Sequence, residues 1–335
     1  MENKAQNSAP IKFNWKKVIN RLTIIISIGV VLNVFLVYFL TDDFKPSLFL
    51  EFNPFYLFLA VVFGVLPMII HAFEIKLWAH YFDLHLSFKN SFRISVSTIL
   101  GSAATPTMLG GGPVKWGMLM HYGLRSGQAA AVTTFTGLQD FVFLLMVITF
   151  SVFTSDRVGV DVFRKLFVKM TDKLPITLLI IAGVVLVIFI LFKVLQQTSR
   201  GQKIIQFLKT ALTDFKQAYA MLAKHGKWYF LAAVGTTTLR WMSRFLVVLW
   251  LVLGLGIQTD YLDVVLSNWL VFTSMTAVPT PGAAGGAEAV FYLVYKPLIP
   301  AHYLALVMFA WRFCTEYMRL IFAAVSVNLL GITES

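Results

Sequence analysis

Six stretches of this chain stay apolar over roughly the 20 residues that a helix needs to cross a hydrocarbon core about 30 Å thick. They run from about 19 to 40, 55 to 79, 128 to 153, 175 to 195, 228 to 254 and 302 to 330. A backbone in lipid must satisfy its own hydrogen bonds, so continuous runs of this length read as spanning helices. Composition agrees, since 58% hydrophobic residues, 13% charged residues and a mean hydropathy of +0.76 over 335 residues lie far outside the range of a soluble domain. The fold class is an all-α polytopic membrane protein. The first run follows Lys12, Lys16, Lys17 and Arg21, yet it is too long for a signal peptide and ends in Thr41-Asp42-Asp43 without a cleavage pattern, so it reads as a retained anchor.

The formal charge of +12 belongs to loops between the spans and does not mark a nucleic-acid surface. Five Lys or Arg lie in the N-terminal tail, and seven lie in the connector from Lys193 to Lys227 against the single Asp214. The excess of cations on the cytoplasmic side of membrane proteins puts both segments there. With six spans, both termini are expected on the cytoplasmic face of the cell membrane. Asp42, Asp43 and Glu51, and the loop around Asp260 and Asp263, read as external. The loop from Asp156 to Lys173 must also be external although it carries five cations; its FRKLFVKM stretch reads as an amphipathic helix on the membrane surface. Trp78, Trp228 and Tyr303 fall near span ends and read as interface anchors.

Two further apolar segments, from Phe92 to His121 and from Leu262 to Tyr295, are broken near their centres. The breaks are TPTMLGG, starting at Thr105, and TPGAAGG, starting at Thr280: Thr-Pro, three residues and Gly-Gly, repeated 175 positions apart. Each segment reads as two half-length helices joined at a Gly-rich tip, a re-entrant hairpin that enters and leaves on one side. Three spans plus one hairpin then occur twice. The odd number of spans inverts the second copy, giving an inverted repeat of residues about 18 to 153 and about 175 to 331 within a single membrane domain. Close helix packing at the Gly pairs is the competing explanation.

Each returning half-helix would point its N-terminus, with free N–H groups and a partial positive charge, towards the middle of the membrane. Pro113 is expected at the first position of one such helix, and Gly285 and Gly286 lead into the other. Ionisable residues inside the spans point the same way. Arg240 lies about 18 Å into its span, with Arg244 one turn further on the same face. Arg312, Glu316 and Arg319 share a face of the last span, Asp140 is central to the third, and Glu288 opens the second returning half-helix. Each central Arg or Asp costs about 2.5 to 3.5 kcal/mol to insert, so it must face a partner or a polar cavity. Pairing of Arg312 with Glu316, and of Arg240 or Arg244 with Asp140 or Glu288, would satisfy the charges; a surplus of cations would bind an anionic headgroup. His71 and Glu74, one turn apart near the end of the second span, read as a satisfied interfacial pair, with a proton relay as the alternative.

Other chemistries find little support. GGGPVK lacks the spacing and the Ser or Thr of a nucleotide loop, because Trp116 follows Lys115. His80, Asp83 and His85 have no zinc-type spacing, and Cys314 is the sole cysteine. No cofactor and no metal is therefore expected.

The segment SAATPTMLGGGPVKWGMLMHYGLRSGQAAA resembles the Pro, Gly-Gly and basic pattern of the lysylphosphatidylglycerol synthase transmembrane-region family, and AVPTPGAAGGAEAVF is similar to its second signature. The resemblance covers nearly the whole chain. It implies a lipid flippase module, and it implicates Pro106, Gly110, Gly111 and Lys115 at the first tip and Pro281, Gly282, Gly285, Gly286 and Glu288 at the second. Where family members often carry an acidic residue after the first Gly pair, this chain has Gly112-Pro113. A soluble transferase domain of the kind fused to some members is not expected here, so the chain reads as a transporter and not an enzyme. Two alternatives stay open: a membrane-embedded transferase acting on a lipid phosphate, and a non-catalytic membrane partner that recruits a soluble enzyme through the basic connector.

Overall fold

The computed structural model describes residues 46–105, 110–155, 199–275, 280, 283 and 285–329. The expected spans at 19–40 and 175–195, the FRKLFVKM stretch, and Pro106, Pro281 and Gly282 lie outside the described residues. Among those described, every regular element is helical.

A 3₁₀ turn at Pro46–Glu51 leads into α1 (Pro54–Tyr81). Asn53 caps α1 by accepting from the Phe55 N–H at 3.0 Å, and proline supplies the preset φ at its first position. The chain turns at Asp83 and re-enters helix as α2 (Phe88–Ala103), whose Ser87 cap accepts from the Asn90 N–H at 3.2 Å. Past the first Gly-rich tip comes α3 (Gly111–His121), then the long α4 (Ser126–Thr154). The second half runs α5 (Ser199–His225), α6 (Lys227–Gly254), α7 (Tyr261–Met275), α8 (Gly286–Tyr295) and α9 (Ala301–Arg312), followed by a π-helical turn at Phe313–Tyr317 and α10 (Met318–Leu329).

Among the described residues, α1, α4 and α6 are the helices long and apolar enough to cross a membrane. Phe55, Phe58, Phe141, Phe153, Leu231 and Leu293 stand exposed on the surface. In water such an apolar exterior would drive aggregation; in lipid it meets its own kind. By contrast α3 and α8 are about 15 Å long, half of what a crossing requires. Each packs on the preceding helix, α3 on α2 and α8 on α7. The order of elements recurs: helices of 28, 16, 11 and 29 residues (α1 to α4) are echoed by 28, 15 and 10 residues (α6 to α8) and then by the helical stretch from Ala301 to Leu329. Contacts recur as well. Long helix α1 lies along α6, α2 packs against α10, and α7 packs against α4.

Three details depart from expectation. The connector after Lys193 is not a loop: residues Ser199–His225 form α5, because Phe215, Ala218 and Leu222 recur at helical spacing and pack against a core containing Trp78 and Phe135. Lys209, Lys216 and Lys224 stay on its exposed side. Pro113 occupies the third position of α3 and not the first; the whole first turn lacks intrahelical acceptors for its N–H groups, so proline is tolerated there too. Trp78 is no interface anchor but is fully buried, whereas Trp228 is 81% exposed and Tyr303 donates to Glu51 at 2.6 Å.

The π turn has a visible counterpart. Its extra residue pushes the Cys314 carbonyl towards α1 at Gly64, where a Cβ would sit 2.2 Å from that oxygen. Gly64→Ala is therefore expected to lower stability by about 1 to 3 kcal/mol through overpacking. Gly235→Ala, within α6 and with nothing within 4 Å of the added carbon, should leave it unchanged or raise it by up to about 1 kcal/mol. Thermal unfolding of the detergent-solubilised variants checks the pair; equal midpoints would mean that the helices separate freely at Gly64.

Candidate functional site

The short helix α3 starts inside the molecule because its glycines allow it. A Cβ on Gly111 would lie 2.1 Å from Ser102 Oγ, and one on Gly110 would lie 2.5 Å from the Gly101 carbonyl, so the tip can fold back on α2 only without side chains. The Thr105 hydroxyl closes the turn by accepting from the Gly110 N–H at 2.8 Å. At the second tip the requirement is conformational: Gly285 has φ +83°.

Beside the first tip lies a cavity of about 510 Å³. α1 contributes Met68 and His71, α2 Thr98 and Ser102, and α3 Gly111, Gly112 and Lys115. Its far wall is Thr133, Thr136 and Asp140 of α4, Arg240, Trp241 and Arg244 of α6, and Arg319 of α10. Gly111 and Gly112, whose N–H groups have no acceptor within the helix, line its edge.

Ion pairs order this wall. Arg240 holds two carboxylates, Asp140 Oδ1 at 2.6 Å and the fully buried Glu74 Oε2 at 3.3 Å. Trp241 Nε1 donates to the same Asp140 oxygen at 2.8 Å. With its amide oriented to suit both neighbours, Gln139 donates to Glu74 Oε1 at 2.8 Å and accepts from Trp78 Nε1 at 2.9 Å. Arg319 donates to Glu316 Oε2 at 2.6 Å. Lys115 is 3% exposed; its Nζ donates to Thr136 Oγ1 at 2.7 Å and lies 3.5 Å from His71 Nε2. Arg244 rests against the rings of Phe272 and Trp241, 4.5 and 5.3 Å from their centroids. Among the described residues no carboxylate lies within 4 Å of Lys115 or Arg244. Four cations thus face three carboxylates, and the cavity keeps one positive charge in excess.

A second cluster sits at the other tip. The Glu288 carboxylate accepts from the Gly285 N–H at 2.8 Å and meets Arg312 Nε at 3.0 Å, with both side chains almost fully buried. Glu288 lies 175 residues beyond Pro113, at the matching place in the repeated motif. The second tip therefore carries its own anion at the helix start, while the first offers none.

Of the residues singled out from sequence, Gly111, Lys115, Asp140, Arg240 and Arg244 meet at the cavity and Gly110 caps the helix that borders it. Gly285, Gly286, Glu288 and Arg312 form the second cluster and do not line the cavity. Glu316 stands behind Arg319. In place of the anticipated Arg312 to Glu316 pair, the ion pairs these residues make within 4 Å are Arg312 to Glu288, across from α9 to the start of α8, and the local Arg319 to Glu316. His71 and Glu74 likewise do not pair with each other: Glu74 binds Arg240, and His71 contacts Ser95 and Lys115. Sequence reasoning missed His71, Thr136 and Trp241 as cavity residues, since no spacing links His71 to Lys115, 44 positions away.

A separate open groove of about 520 Å³ lies between Gln258–Asp263 and Lys296–Ala301. Its buried Asp263 already accepts from Ser155 Oγ at 2.5 Å, and it gathers no cluster of cations.

The cavity, the tips and the half-length helices all fall within a stretch that comparison with known proteins assigns. The profile of the family described as "Lysylphosphatidylglycerol synthase TM region" matches residues 24–323. A UPF0104 membrane protein of Archaeoglobus fulgidus is 23% identical over 292 residues, covering 81% of this chain and 85% of the relative. With nine-tenths of its length inside the profile, this chain is an integral membrane protein belonging to the lysylphosphatidylglycerol synthase transmembrane-region family.

Proposed function

We propose that this protein is a flippase that carries an anionic phospholipid, or a lipid-linked phosphate, between leaflets, with the phosphate held in the cavity beside the first tip. The observation that carries this reading is the difference between the tips: Glu288 occupies the start of α8, while the matching place on α3 is Pro113 beside Lys115. A phosphate at the first tip would take the place that the Glu288 carboxylate takes at the second. Lys115, Arg244 and the α3 N–H groups are its donors, and Arg240 is a structural cation, already committed to Glu74 and Asp140.

The recurring order of helices and their exchanged contacts support an inverted repeat whose hairpins are re-entrant, with access alternating as one repeat rocks against the other. The positive-inside pattern supports cytoplasmic termini in the cell membrane. Transport is favoured over transfer chemistry because Asp140, the carboxylate of the cavity wall, is bound by both Arg240 and Trp241.

The test is leaflet exchange of fluorescent phosphatidylglycerol and phosphatidylcholine in proteoliposomes. Native protein is expected to exchange the anionic lipid faster. Lys115→Met and Arg244→Gln should each slow it about tenfold or more, since each removes a charged hydrogen bond of about 1.5 to 3 kcal/mol. Equal exchange of both lipids, or variants as fast as native protein, would sink the reading.

A further inference from the structure

The hydrogen bonds behind Lys115 fix where the protons are. Ser95 Oγ donates to the Met68 carbonyl at 2.9 Å, which uses its one proton. Its 3.0 Å contact with His71 Nδ1 is therefore a bond in which the imidazole donates. A neutral His71 then carries no proton on Nε2, and that lone pair faces Lys115 Nζ at 3.5 Å. Thr136 is fixed in the same way: it donates to the Val132 carbonyl at 2.9 Å and so can only accept from Lys115.

His71 Nε2 is thus an acceptor set in a wall of donors. The charged groups around it are Lys115 from α3, Arg240 from α6 and Arg319 from α10, with Glu74 on its own helix and Asp140 on α4, both bound to Arg240. An anionic oxygen that bound Lys115 Nζ on its His71 side would meet Nε2, where two lone pairs would oppose each other. One proton added at Nε2 turns that contact into a charge-assisted hydrogen bond. The proton ends the contact in which Nε2 accepts from Lys115, whose Nζ keeps Thr136 Oγ1 and gains the anion as acceptors.

We propose that His71 is a proton-binding residue of the anion site, so that a phosphate-bearing lipid enters the cavity together with one proton; this rests on the reading of the cavity as the phosphate site. The proton comes from cavity water, forms the Nε2–H bond, and returns to water when the lipid leaves. A phosphate monoanion and its proton then cross as a neutral load. The membrane potential, worth about 2.3 kcal/mol per charge per 100 mV, drops out of the driving force and a pH gradient enters it.

The experiment is calorimetric titration of the purified full chain in detergent with dihexanoyl phosphatidylglycerol at neutral pH, in two buffers of different ionisation enthalpy. Native protein is expected to take up between about half and one proton per lipid bound, as binding linked to a titrating group requires. His71→Gln, whose amide N–H can donate where Nε2–H would, should bind within about tenfold of native affinity and take up none. Uptake that persists in this variant places the proton elsewhere and overturns the proposal. Should the variant fail to fold, native protein alone decides: lipid binding without proton uptake refutes the proton site and leaves the anion site standing. No binding of the lipid at all removes the anion site and the proposal together.

Discussion

Arg312→Met is expected to lower the unfolding midpoint of the solubilised protein more than any other single change at a charged position. Arg312 and Glu288 are 2% and 1% exposed, and their contact at 3.0 Å joins α9 to the first turn of α8. Removing one member of such a pair strands the other in a medium that cannot solvate it, at a cost of about 3 to 5 kcal/mol. The effect should reach the tip, because the other Glu288 oxygen fixes Gly285, whose positive φ sets the direction of α8. Adding Glu288→Gln to Arg312→Met should restore much of the loss, since an amide oxygen can still accept from Gly285 and no charge is left behind. Circular dichroism melts of the four proteins in the cycle give the coupling directly. A single Arg312→Met variant that melts like native protein but no longer binds lipid would reverse the assignment, making Arg312 part of the anion site.

The second large effect is expected at Arg240. Its guanidinium bridges α1 and α4 from α6 by touching Glu74 and Asp140 at once. Arg240→Ala leaves two carboxylates unpaired, one of them without any solvent exposure, so a loss of about 3 kcal/mol or more in stability should accompany the loss of exchange. Arg240→Lys keeps the charge but cannot reach both acids with a planar fork, and should recover only part of either property. Lys115→Met provides the contrast: it should slow exchange while the melting midpoint moves little, because no carboxylate depends on Lys115. Melting and exchange measured on the same preparations separate the two roles. If Arg240→Ala melts normally and only exchange is lost, Arg240 is a ligand for the phosphate and not a strut.

Span positions were legible because lipid imposes them. The expected runs at 55–79, 128–153 and 228–254 became α1, α4 and α6 with ends displaced by no more than two residues, since hydropathy over such lengths leaves little else to decide. The broken segments also became paired short helices, flanking glycines that a side chain could not replace. α5 was hidden because its basic and apolar residues average to a neutral hydropathy, and only the spacing of Phe215, Ala218 and Leu222 betrays its buried face. Ion partners were hidden for a different reason. Glu74 and Arg240 are joined across the long contact of α1 with α6, and Arg312 finds Glu288 across the packing of α9 on α8; neither can be read from distance along the chain. His71 belonged to the same class: its neighbours come from α2 and α3, so one helix's periodicity could not place it at the cavity.

The two tips divide labour between a finished joint and an open one. In the second, the acid, the arginine and the helix start already complete one another. At the first, residues of both halves meet in a cavity where four cations face three carboxylates, and the helix start carries no acid of its own. A frame in which the same order of helices recurs thereby has one helix start neutralised from within and one left with a surplus of positive charge.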